Sequence, residues 1–390
     1  MSTNLNNRQK TTILFITTGL QAAGAEIMLY NLLSKMNREQ FSPIVVSLMN
    51  WDIMGDYIKL LEIPVHTMNM KQRFPTPSVM ARLISIVRKI KPDLIQGWMY
   101  HGNFAAQFAS CFLDYNKIPV VWSIHSSIHE IKSYKFITKN IITFGAYISQ
   151  VPKKILFVSR ASKLQHEALG YSSNNSYIIP NGFDTSLFIP SDEARTSFRL
   201  EMGFSDKSFL IGLIGRYHPM KDHENFLRAA SLLLKKYPDT IFLLAGRGVS
   251  KENQILKQLI KELEIVNHIY LLGERNDMPR LMASLDIVTS TSAYGEAFPM
   301  VIGEAMSCAV PCVVTDVGDS AWLVGDTGKV VPPKNPQLLA NAFKELIDLG
   351  YKDRKILGKA ARERVINLFS LDSVVHQYES LYETVLGYNK

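Results

Sequence analysis

Runs of four to six apolar residues alternate with stretches of helical spacing along almost the whole 390-residue chain. That alternation is the mark of parallel βα units, in which each strand is buried on both faces and each helix covers one face. In the first half the strand-like runs fall at 13–17, 44–48, 94–97, 120–124, 155–159 and 177–180. In the second half they fall at 210–215, 241–246, 269–273, 287–290, 311–315 and 329–331. Between two of them Phe226, Ala229, Ala230, Leu233 and Leu234 follow i, i+3, i+4, i+7, i+8, so a helix starting near Asp222 buries a single stripe. A chain this long exceeds one ordinary core. The expected fold class is α/β, with two doubly wound parallel-sheet domains at 1–184 and 185–372 and a closing helix at 373–390 that packs back on the first. Turn formers in NGFDTSLFIPSD place the linker at 181–192.

Hydrophobic content of 47% and charged content of 20% describe a soluble globular protein. The first apolar run, 13–16, is too short for a signal peptide or a membrane span, and the residues before it read as a polar tail. A cytoplasmic location is expected. Cys111, Cys308 and Cys312 are odd in number and have no metal-type spacing, which points to a reducing compartment.

Charge is unevenly placed. Residues 1–184 hold 19 Lys and Arg against 10 Asp and Glu, a net of +9, whereas the remainder holds 24 against 25. Much of the excess lies between Lys132 and Lys163, where Lys135, Lys139, Lys153, Lys154 and Arg160 are interleaved with Tyr134, Phe136, Phe144 and Tyr147. Such a set suits the inner, anionic face of a membrane, a phosphate-bearing acceptor, or a solvated helix face, and the sequence leaves the three open.

The stretch 286–318 carries the densest chemistry: DIVTSTSAYGEAFPMVIGEAMSCAVPCVVTDVG. A strand, a polar turn holding Glu296, a helix beginning near Pro299 and holding Glu304, and a second strand follow in order. Proline suits such a start because its missing N–H has no partner to lose. The positive end of the helix then points at the turn, a ready site for an anion such as phosphate. Two solvated carboxylates on a surface helix would not explain Glu304 within the apolar run MVIGEAM.

The spacing Glu296-AFPMVIG-Glu304, with the AMSCAVP that follows, resembles the E-x7-E site of retaining glycosyltransferases of family 4, which have the GT-B fold of two Rossmann-like domains facing a cleft. IIPNGFD likewise resembles the family's exit from its first domain. The resemblance implies a donor site in the second domain and an acceptor site in the first. Glu304 would bond the ribose hydroxyls, while Glu296 and backbone groups of Phe298, Met300 and Val301 would hold the sugar. In GRYHPMKDH, Arg216 and Lys221 lie five apart across a turn and resemble the family's G-R-(x)4-K pattern, placing both on the diphosphate. Gly246 and the loop 273–277 end strands on the same edge, with Arg275 against the nucleobase. In the first loop, 18–26, Gly24 would let a ligand approach the backbone, although Ala23 stands where the family has another glycine. His125, at the carboxyl edge of its strand, would bond a sugar hydroxyl and join Glu296 at the catalytic centre; His101 is a weaker candidate.

The expected reaction moves a hexose, of glucose or N-acetylhexosamine type, from a nucleotide sugar to a lipid-linked or polysaccharide acceptor. A UDP-glucose type donor, no cofactor and no metal are implied, with no nucleic acid partner and peripheral contact with an anionic membrane. A nucleotide-sugar 2-epimerase and a non-catalytic nucleotide-sugar-binding protein are the competing readings. No G-x-G-x-x-G follows either domain's first strand, which disfavours a dehydrogenase.

Overall fold

Two parallel sheets organise the chain. A computed structural model describes residues 10–70, 76–113, 118–128, 130–131 and 134–388. Thirteen strands are present among them. Seven belong to the first sheet: β1 (Thr11–Thr17), β2 (Phe41–Ser47), β3 (Val65–Thr67), β4 (Leu94–Trp98), β5 (Val120–Ile124), β6 (Lys154–Phe157) and β7 (Ser176–Ile178). Six form the second: β8 (Phe209–Ile214), β9 (Thr240–Ala245), β10 (Ile269–Leu271), β11 (Ile287–Ser290), β12 (Cys312–Thr315) and β13 (Lys329–Val331). The orders are β3-β2-β1-β4-β5-β6-β7 and β10-β9-β8-β11-β12-β13. Strand order therefore reverses beside β1 and beside β8, and in open α/β sheets ligands bind at such a switch, outside the carboxyl ends of the strands.

The chain divides into one unit of 1–182 with 372–390 and a second of 183–371. In the first unit Ile13, Leu14, Phe15 and Ile16 of β1 are wholly buried. Continuous burial of that kind is what helices on both faces of a parallel sheet produce. The helix Leu371–Leu386 completes this core: Tyr382 meets Phe41 at 6.1 Å and Tyr378 stacks on Trp98 at 6.2 Å. In the second unit the helix His223–Leu234 buries Phe226, Ala229, Ala230 and Leu233 against β8 and β9, with Asp222 as its cap.

Three local features differ from the sequence reading. β3 was missed because its three residues, Val-His-Thr, are half-exposed at the sheet edge and form no apolar run. β6 stops at Phe157, because Ser159 turns away to cap the next helix by accepting from Ser162 N. Pro299 is the cap of the helix Met300–Ser307 rather than its first residue.

Among the described residues no helix is long and apolar enough to cross a membrane. All three cysteines are free, with Cys308 and Cys312 buried. Lys132 and residues 1–9 of the polar tail lie outside the described residues.

Candidate functional site

The second unit gathers its polar side chains at the carboxyl ends of β8, β9 and β11. After β8 the chain passes through Gly215 and Arg216 and makes a short 3-10 turn, Pro219–Lys221, capped by His218. Gly246, after β9, has φ of +141°, and a Cβ there would lie 2.3 Å from Gly215 O and 3.0 Å from Arg216 N. Only glycine fits both the backbone angle and the gap. Gly215 N and Tyr217 N then bond Ala245 O and Arg247 O, each at 2.8 Å. The Arg216 loop is thereby fixed to the loop after β9.

After β11, residues 291–296 fold onto that same loop. Thr291 Oγ1 donates to Lys221 O at 2.7 Å, and Ala293 N donates to Met220 O at 2.8 Å. These ties bring together side chains 75 positions apart, for Lys221 Nζ lies 2.5 Å from Glu296 Oε2. Ser292 Oγ donates to the same oxygen at 2.8 Å. Burial alone would raise the Glu296 pKa, but Lys221, the Ser292 hydroxyl and Arg216 outweigh it and hold the carboxyl below its ordinary value. Glu296 is therefore ionised at neutral pH. Arg216 is exposed and, among the described residues, its guanidinium makes no hydrogen bond or ion pair. With burial and Lys221 it lowers the pKa of His218, a sign of positive potential over the loop.

Glu304 contrasts with Glu296. It sits in the second turn of the helix Met300–Ser307, and among the described residues its carboxylate has no hydrogen-bond partner. Burial raises its pKa to about 7. At the start of that helix no side chain caps the backbone, and the N–H groups of Met300 and Val301 have no acceptor among the described residues. The Phe298 side chain is turned inward, against Phe183, Phe369 and Trp322 at 6.1, 5.3 and 5.5 Å. It anchors the helix start.

Arg275 is engaged by neighbouring protein groups. Its Nε and Nη2 donate to both oxygens of Asp277 at 2.7 and 2.6 Å, and its guanidinium lies over the Phe198 ring at 5.4 Å. A bidentate pair of this kind fixes the plane of the guanidinium.

In the first unit His125 follows β5. Its ring stacks on Trp98 at 4.2 Å, its Nε2 is 2.6 Å from Ser123 Oγ, and its N–H donates to Met99 Sδ at 3.3 Å. Burial lowers its pKa to about 3 despite an opposing contact with Asn181, so the imidazole is neutral at pH 7. It can exchange hydrogen bonds there but carries no charge. Gly24 is the exposed first residue of the helix Gly24–Lys35, whose N-cap Ala23 offers no side-chain bond. Two residues on, burial raises the Glu26 pKa to about 7. Sequence reasoning passed over Glu26, and also Ser292, whose signal is its i, i+4 spacing to Glu296.

Two open parallel α/β units, with cations and carboxylates converging at the switch point of the second sheet, define a protein of the GT-B class. Residues 22–187 match the model of Glycosyltransferase Family 4, and residues 195–364 match that of Glycosyl transferases group 1. The chain belongs to the family 4 glycosyltransferases. It is 24% identical over 343 residues, 85% of each chain, to the Escherichia coli UDP-Gal:alpha-D-GlcNAc-diphosphoundecaprenol alpha-1,3-galactosyltransferase. Over 70% of each chain it is 26% identical to the N-acetyl-alpha-D-glucosaminyl L-malate synthase of Bacillus anthracis. Among solved structures, Anabaena HepE in complex with UDP and glucose superposes with a TM-score of 0.84 at 22% identity, over 96% of this chain and 100% of that one.

Proposed function

We propose that this glycosyltransferase takes a hexose, of glucose or N-acetylhexosamine type, from a UDP-linked sugar and transfers it with retention, without a metal, to a lipid-linked or polysaccharide acceptor. Its setting would be cell-surface or exopolysaccharide synthesis. The second unit binds the donor and the first binds the acceptor. The observation that carries the reading is the unpartnered Glu304 carboxylate, held behind two unpaired N–H groups in the unit that also presents Arg216 and Lys221.

Each group has a physical task. A carboxylate accepts from two adjacent hydroxyls, so Glu304 holds the ribose. Arg216, Lys221 and the helix start at Met300 and Val301 stabilise the departing diphosphate, where negative charge grows in the transition state. Ionised Glu296, aligned by Lys221 and Ser292, accepts from sugar hydroxyls. Neutral His125 shares a hydrogen bond with another. Support for a UDP donor comes from HepE, solved with UDP-glucose, and support for a lipid-linked acceptor from the Escherichia coli relative, whose name specifies a diphosphoundecaprenol.

A thermal-shift screen over nucleotide sugars tests the donor. A ligand at a hundredfold excess over its Kd stabilises by about 2.7 kcal/mol. UDP-sugars should raise the unfolding temperature of the wild type, and Glu304→Ala should abolish that rise. Equal stabilisation of the variant would refute the donor assignment. Turnover that survives exhaustive chelation is expected, and its loss would refute metal independence.

A further inference from the structure

A cavity of about 370 Å³ lies in the first unit, beside residues that follow β2, β3 and β4. Leu48, Met70 and Ala105 line it together with Ile137, Ile141 and Phe144 of the helix Phe136–Ile148. His101 and Asn140 are the polar side chains in its lining. Small-molecule sites of this size are mostly apolar with a few polar groups that fix orientation. A lining this poor in polar groups suits a hydrocarbon.

The cavity opens onto a continuous run of rings. Phe104 lies 6.0 Å from Phe144 and 6.5 Å from Phe108, Phe108 lies 5.0 Å from Phe112, and Phe144 lies 6.5 Å from Tyr147. Much of it faces water: Phe144 is 48% exposed, Tyr147 85%, and Phe136, at the rim, 77%. A contiguous apolar surface of this kind marks a binding face.

Charge is placed to match. The helix Phe136–Ile148 has no acidic residue in its first turn, follows directly on Lys135, and carries Lys139. Among the described residues neither lysine is in an ion pair. His101 of the lining lies two residues after Met99, whose Sδ accepts from the His125 backbone N–H.

We propose that the cavity takes the hydrocarbon chain of a phosphate-bearing lipid acceptor, with its phosphate against Lys135 and Lys139. This rests on the reading of the first unit as the acceptor-binding one. A concave apolar space of this volume can receive a chain withdrawn from a bilayer, whereas contact with the bilayer surface alone needs none.

Farnesyl phosphate is the probe, titrated calorimetrically into the full chain. The wild type should bind it and should not bind inorganic phosphate at the same concentration. Asn140→Trp, at an exposed helical position, fills the mouth and should weaken binding at least tenfold; Lys135→Glu with Lys139→Glu should weaken it most at low salt. Unchanged circular dichroism spectra report an intact first unit in both variants, and unchanged stabilisation by UDP reports an intact second unit. Failure of UDP to stabilise the wild type would refute the donor reading and leave farnesyl phosphate binding to judge the cavity. No binding by the wild type, or equal binding by Asn140→Trp, overturns the proposal. So does an Asn140→Trp variant that loses affinity for anionic vesicles while keeping it for farnesyl phosphate, since the face would then be a bilayer contact.

Discussion

Glu304 should make the protein less stable as pH rises through neutrality. Its carboxyl has an ordinary pKa of 4.5, which burial raises to about 7 in the folded state. Between those values the folded chain holds a proton that the unfolded chain has released. Stability therefore falls from pH about 4.5 to about 7 and is flat above. At about 1.4 kcal/mol per pH unit the full effect is about 3 kcal/mol, and screening by solvent at this half-buried position brings the expected range to between about 1 and 3. Glu304→Gln keeps the shape and removes the titration. Urea midpoints of wild type and variant, compared at pH 5 and pH 8, isolate the group, because every other titration is common to both. Near pH 5 the two should differ little; at pH 8 the variant should be the more stable. Donor affinity should move the opposite way, falling roughly tenfold or more as ribose hydroxyls lose a charged acceptor, since hydrogen bonds to charged groups contribute about 1.5–3 kcal/mol. A stability difference that is the same at both pH values would refute the titration. Unchanged donor affinity would refute the role.

Lys221→Ala should leave the Glu296 carboxylate with only the Ser292 hydroxyl and the charge of Arg216, at a cost of about 3 kcal/mol for a broken, mostly buried pair; the variant should also lose the larger part of the wild-type stability that disappears as pH falls through the lowered Glu296 pKa. Thermal melts across pH 3–7 check both. His125 stays neutral down to about pH 3 while the unfolded chain protonates near 6.5, so its contribution to stability declines as pH falls below about 6.5. His125→Asn should flatten that decline, and the wild-type profile of kcat/KM should show no imidazole inflection between pH 5 and 8. Gly246→Ala should push the Gly215–Arg216 backbone aside, lowering the melting temperature and the affinity for UDP together; wild-type affinity in a stably folded variant would count against the fixed loop.

Buried parallel strands are legible because both faces are apolar, so runs such as Ile13 to Ile16 need no pairing information to be seen. β3 was not, since an edge strand of three half-exposed residues carries no such run. At the site, residue types and spacing pointed to Glu296, Lys221 and Arg216 one by one. The ion pair joining the first two depends on loops after two different strands and has no local signal. For Arg275, position at a strand end suggested a ligand contact, while its pairing with Asp277 and its place over Phe198 from an earlier helix come from packing that the strand end does not specify. Phe104, Phe108 and Phe112 lie at i, i+4 and i+8, a spacing that does not tell a buried stripe from an open one, and packing leaves Phe112 exposed.

The first unit borrows its closing helix from the far end of the chain, and this sets an order of assembly during synthesis. While residues 183–371 are being made, Phe41 and Trp98 lack the rings of Tyr382 and Tyr378 that later cover them. The second unit has all its strands once β13 has emerged and does not have to wait. The nascent first unit keeps an uncovered apolar face until this helix leaves the ribosome. Chaperone occupancy and premature termination should bear most heavily on the half of the protein that is translated first.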